Sequence, residues 1–160
     1  MTPEQEKLFE DYGCVARCLI AVYVTRGAKL TKEEFVARYA PQYWPSGKEL
    51  GALRPQEAAD IAEDLGLARS AYFTDKFDQV RKAIREESPV FILAWTLKKR
   101  EEDGTYSDYK HCTLIRFETP SDDGLIYLHN LDYNTGCGAP QFVPDAAMIP
   151  LEPLFLVFEP

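Results

Sequence analysis

The chain has 160 residues, 46% of them hydrophobic and 28% charged. That is enough apolar material for a single well-cored domain over 1–160, and no low-complexity tract points to disorder. A formal net charge of −8 without a basic stripe argues against nucleic acid or an anionic membrane surface as partner. The acidic start, Met1 to Glu6, lacks the hydrophobic core of a signal peptide, and no apolar run is long enough to span a bilayer. The expected setting is therefore cytoplasmic, with the cysteines at 14, 18, 112 and 137 kept as thiols.

In chain order, residues 3–10 read as a short helix or ordered arm. Gly13-Cys14 then opens a run from Val15 to Val24 interrupted only by Arg17 and Cys18, closed by Thr25-Arg26-Gly27. Such a run predicts a helix over about 12–26, buried on nearly every side. Thr31 and Glu34 form a capping-box pattern ahead of Phe35, Val36 and Tyr39, giving a helix over 31–39. Pro41, Pro45, Ser46 and Gly47 mark a loop. Pro55 opens a helix ending near Gly66, with Ala58, Ile61, Ala62 and Leu65 on one face. Arg69 to Phe73 reads as a short strand, and Asp75 as the cap of a helix burying Phe77, Val80, Ala83 and Ile84.

At Pro89 the pattern turns from helical to extended. Val90 to Thr96, His111 to Phe117, Leu125 to Asn130 and Leu154 to Phe158 read as strands. A polar loop from Lys98 to Tyr109, with Gly104 at its tip, separates the first two. The segment from Asn134 to Pro150 reads as irregular. Helices in the first half and antiparallel strands in the second define an α+β class, with the central helix packed on the sheet.

Cys14 sits on the first turn of the buried helix, where free backbone N–H groups and the helix dipole favour a thiolate. His111 and His129 are the two histidines. A hairpin between 111–117 and 125–130 places His111 near Asn130 or Asp132, and either side chain can orient an imidazole. Alternation turns His129 the other way, so it reads as a packed or surface histidine. Cys18 reads as a buried hydrophobe or a resolving thiol, and Cys112 as core.

The order Cys14…His111…Asn130/Asp132 resembles the papain-like cysteine peptidases. It comes closest to their bacteriocin-leader (double-glycine) branch, through Gly13-Cys14, Thr31 to Phe35, Ser88-Pro89-Val90, His111-Cys112-Thr113 and Ile126 to Asp132. The resemblance implies a papain-like fold and peptide or protein substrates. It also implies Cys14 as nucleophile, His111 as general base and acid, and Asn130 or Asp132 as orienter. The family places a Gln for the oxyanion hole shortly before the nucleophile, where this chain has Leu8. Gln5 is the nearest substitute. Either the N-terminal arm brings Gln5 in, or another donor serves, or acyl transfer is impaired, since losing such a donor costs about two to three orders of magnitude in rate.

No cofactor is expected. Cys14, Cys18, His111 and Cys112 carry zinc-type donors, but Cys-x3-Cys on a helix is not the usual knuckle, and adjacent His-Cys on a strand points two ways. Two function classes follow: a thiol hydrolase acting on peptide or isopeptide bonds, or an inactive relative that binds peptides.

Overall fold

The computed structural model describes residues 1–46, 49–86, 91–116, 118 and 120–159. Gly47, the Ser88-Pro89-Val90 motif and Phe117 lie outside them. The chain forms α1 (Pro3–Tyr12), α2 (Cys14–Thr25), α3 (Lys32–Tyr43), α4 (Pro55–Asp64), β1 (Ser70–Thr74) and α5 (Phe77–Glu86). There follow β2 (Phe91–Arg100), β3 (Tyr106–Ile115), β4 (Gly124–His129), β5 (Ala139–Pro144), α6 (Asp145–Met148), a 3₁₀ turn (Ile149–Leu151) and β6 (Pro153–Glu159). The expected α+β class holds. Among the described residues no helix is long and apolar enough to cross a membrane.

The strands make one antiparallel sheet in the order β1-β6-β2-β3-β4-β5. Its middle strands read as near-continuous apolar runs because both faces are covered. Phe91, Leu93, Trp95, Leu114, Leu156 and Phe158 face α2 and its neighbours, whereas Ile92, Ala94, Ile115, Phe155 and Val157 face α5. The helix α2 lies inside the first core, with Val15, Ala16 and Cys18 to Val22 all buried.

Helix α1 starts as a capping box, Thr2 with Gln5, and Pro3 sits in its first turn. It stops at Gly13, which is at once its C-cap and the N-cap of α2. A Cβ there would lie 2.2 Å from the Phe9 carbonyl oxygen, so only glycine fits the junction. Gly51, at φ +99°, presses on it from outside, since a Cβ on Gly51 would come within 2.9 Å of the Gly13 Cα. Backbone contact between these two glycines fixes how the start of α2 is presented.

Three expectations need correction. Helix α3 runs through Pro41 to Tyr43, because proline falls in the last turn and Trp44 N–H still reaches the Ala40 carbonyl at 2.8 Å. The supposed polar loop 98–109 is a β-ribbon extending β2 and β3, with Lys98, Lys99 and Arg100 paired to Asp108, Ser107 and Tyr106. Only Glu101 to Thr105 turn, with Gly104 at φ +84°. The segment 134–150 holds β5, whose Pro140 and Pro144 suit an edge strand that needs no complete ladder, and α6.

Candidate functional site

The site lies where the start of α2 meets β3. Cys14, Arg17, Trp95, Tyr109, Lys110 and His111 contribute to the walls of a cleft of about 540 Å³, closed on another side by Leu53 and Arg54. Behind Cys14 a second, narrow cavity of about 80 Å³ is lined by Cys14, Arg17, His111, His129 and Asn130 among others. It exists because β4 leaves β3 early. Their ladder runs through Leu114–Leu128 and Ile115–Tyr127 and continues in the Arg116 N–H on the Ile126 carbonyl at 2.8 Å. On the Leu128 side Asn130 bends out of the strand at φ +52°.

His111 does not open a strand after a loop. It sits in the middle of β3, paired with Thr96 of β2. Its neighbour Cys112 points into the α2-side core, 4.0 Å sulfur to sulfur from Cys18. The β2–β3 register shifts between Thr96 and Lys98, so strict alternation breaks beside His111, whose ring lies 6.0 Å from that of Tyr109. Cys14 and His111 both line the same small cavity. Among the described residues no hydrogen bond joins the Cys14 thiol to either histidine.

The Cys14 thiol is pushed up by burial and, less strongly, by the nearby Cys18; backbone hydrogen bonding from Cys112 and from the start of α2 only partly opposes this. The expected dipole-activated thiolate is therefore outweighed by desolvation in the resting molecule. His111 is held below the ordinary histidine range by burial first, then by the neighbouring His129 and the Arg17 guanidinium. His129 is lowered by burial as well. A neutral thiol beside neutral imidazoles is the resting state at pH 7.

Of the proposed orienters, Asn130 lines the narrow cavity. Asp132 does not line either space: its carboxylate is exposed and accepts the Asn134 N–H at 2.7 Å in a local turn. Gln5 does not line them either. Its side-chain oxygen accepts the Thr2 N–H at 2.8 Å in the capping box at the exposed start of α1.

One residue of the site was placed elsewhere by sequence and another went unread. His129, expected to turn from the site, lines the narrow cavity with His111, its Nε2 buried and without a hydrogen-bond partner among the described residues. The early parting of β4 from β3 carries no sequence signal that would reveal this. Arg17 donates to the Leu131 carbonyl at 3.0 Å, lies 5.1 Å from the centre of the Tyr133 ring and approaches Glu10 at 3.7 Å. Its Nε is buried and has no hydrogen-bond partner among the described residues. A charge in the apolar run, three residues after Cys14, was the available signal. Among the described residues no group of three or more His, Cys, Asp or Glu is arranged to hold a metal ion. Comparison with known proteins gives no matching family model and no matching curated protein.

Proposed function

We propose that the chain is a papain-like thiol hydrolase that cleaves a peptide or isopeptide bond through an acyl-enzyme on Cys14. The observation that supports this reading is that Cys14, on the first turn of α2, and His111, on β3, both line the same two spaces. In this mechanism a substrate enters the larger cleft and His111 takes the Cys14 proton as sulfur attacks the carbonyl. His111 then returns the proton to the leaving amine, and water releases the acyl group. The Cys14 backbone N–H stabilises the oxyanion, and Asn130 orients the imidazole. Catalytic hydrogen bonds are commonly long before substrate arrives, so a thiol and imidazole not yet bonded are compatible with the chemistry.

The test is competitive alkylation of the native chain with iodoacetamide. Cys14 is expected to react faster than the buried Cys18 and Cys112, and His111→Ala to slow it selectively. Equal reactivity of Cys14 in the two proteins would remove His111 from the mechanism.

A second reading has its own support. With Gln5 committed to a cap and the Cys14 thiol pushed up, the cleft equally suits a papain-like module that binds peptides without cleaving them. Under that reading Cys14→Ala keeps the biological activity. Loss of activity in a folded Cys14→Ala protein excludes it.

A further inference from the structure

Three of the four cysteines meet at the seam between α2 and β3, and the mechanism above uses only one. Cys14 lines the cleft and is open to small solutes. Cys18 and Cys112 are 1% and 3% exposed, against a half-buried Cys14, so Cys14 is the sulfur an oxidant from the cleft meets first. The Cys18 and Cys112 sulfurs are 4.0 Å apart, from helix to strand, and all three cysteines line the same narrow cavity. The geometry is ordered: one accessible sulfur at the cleft and two almost buried ones beside it.

We infer that Cys14, Cys112 and Cys18 form a sulfur relay that clears a peroxide-type oxidation from the cleft thiol and stores it as a buried Cys18–Cys112 disulfide. In the first step the Cys14 sulfur attacks one peroxide oxygen and the O–O bond breaks. The leaving hydroxide takes a proton and departs as water, leaving a sulfenic acid on Cys14. The Cys112 sulfur then attacks the Cys14 sulfur, the S–O bond breaks, and a second water carries off the Cys112 proton. Finally the Cys18 sulfur attacks the Cys112 sulfur across the 4.0 Å gap, and Cys14 leaves with the proton from Cys18. In total, two thiols and one peroxide give one disulfide and two waters, and Cys14 is a thiol again. Cys18 faces the Cys112 sulfur, so Cys112 is the sulfur attacked in the last step and Cys14 is the group that leaves. Closing the final bond brings the two sulfurs from 4.0 Å to about 2.05 Å.

The relay needs Cys14 reachable from the cleft and its sulfur able to meet that of Cys112, but no acyl chemistry, so it stands or falls apart from the hydrolase reading. The test exposes the reduced full chain to stoichiometric hydrogen peroxide, alkylates it with N-ethylmaleimide after denaturation, and maps each cysteine by mass spectrometry. Expected is loss of alkylation at Cys18 and Cys112, a Cys18–Cys112 cross-linked peptide, and continued alkylation of Cys14 and of the exposed Cys137. With dimedone present, Cys112→Ala is expected to gain an adduct on Cys14, and Cys18→Ala to stop at a Cys14–Cys112 disulfide. Wild-type protein in which Cys14 proceeds to sulfinic acid while Cys18 and Cys112 stay reduced overturns the relay. So does a wild-type product that remains at Cys14–Cys112. The wild-type map decides the matter even if a buried-cysteine variant fails to fold.

Discussion

The junction between α1 and α2 makes a quantitative demand. Gly13 has an ordinary backbone conformation, φ −89° and ψ 18°, so replacing it with alanine introduces no torsional strain. The cost is purely steric. A Cβ would stand 2.2 Å from the Phe9 carbonyl oxygen and 3.2 Å from the Phe9 ring, while Gly51 blocks outward movement. Backbone must shift, which puts the penalty in the upper part of the roughly 1–3 kcal/mol seen for overpacking. Reduced freedom of the unfolded chain returns about 0.4–1 kcal/mol. The net loss for Gly13→Ala is thus roughly 1–2.5 kcal/mol, or a fall in Tm of about 2–10 °C for a chain of this length. Thermal unfolding by circular dichroism measures it, and iodoacetamide kinetics at Cys14 report whether the start of α2 has moved. Gly27→Ala is the control: at φ +85° it has no neighbour within 4 Å, so it carries only the left-handed backbone penalty of about 1–2 kcal/mol and leaves Cys14 reactivity unchanged. If Gly13→Ala leaves both Tm and Cys14 alkylation at wild-type values, the glycine pair does not position the nucleophile.

The alkylation rate of Cys14 should keep rising with pH beyond the ordinary cysteine range, because the reactive thiolate forms late; a plateau near neutrality contradicts the raised thiol. His111 and His129 are both lowered, so the unfolded chain binds more protons below the ordinary histidine value, and urea titrations should show stability falling as pH drops through that value. Gln5→Ala should lower stability slightly through the lost capping box and leave Cys14 alkylation unchanged; slowed alkylation would restore Gln5 to the site. On the other face of the sheet Arg81, its side chain 6% exposed, pairs with Asp145 and donates to the Ser121 carbonyl at 2.8 Å. Arg81→Met should therefore cost about 3–5 kcal/mol by stranding Asp145, and the double variant Arg81→Met/Asp145→Leu should recover most of it in the same denaturation assay.

What the sequence made legible follows from which forces act locally. Thr31 and Glu34 cap α3 as read, because caps are settled within one turn; the same box at Thr2 and Gln5, ahead of α1, was not read although its residues carry the pattern. The apolar run behind Cys14 became the buried helix since nothing but a core satisfies it. The ribbon at 98–109 was lost because its residues are polar on both sides, so no period-2 signal marks a strand held by cross-strand pairs such as Lys98–Asp108 at 2.5 Å. Strand β5 was hidden by its own prolines, which signal a break in the middle of a sheet but are tolerated at its edge.

The site was legible in its parts and not in its wiring. Cys14 could be placed from helix position alone, and His111 and Asn130 from strand order, and all three do line the narrow cavity. Which polar group serves which partner depends instead on where two strands part, and that is decided by tertiary packing. Where β4 parts from β3 beyond Leu114–Leu128, the two strands flank the narrow cavity that Cys14 and His111 both line. Thr113 stands at that parting, its hydroxyl donating to the Leu128 carbonyl in place of a further strand bond. Thr113→Val removes the hydroxyl at nearly constant volume and leaves the carbonyl without its donor, a cost of about 1–3 kcal/mol. The parting should then loosen, so Cys14 alkylation should change together with the Tm. A variant that loses stability while Cys14 reacts at the wild-type rate would separate the split in the sheet from the chemistry it is argued to permit.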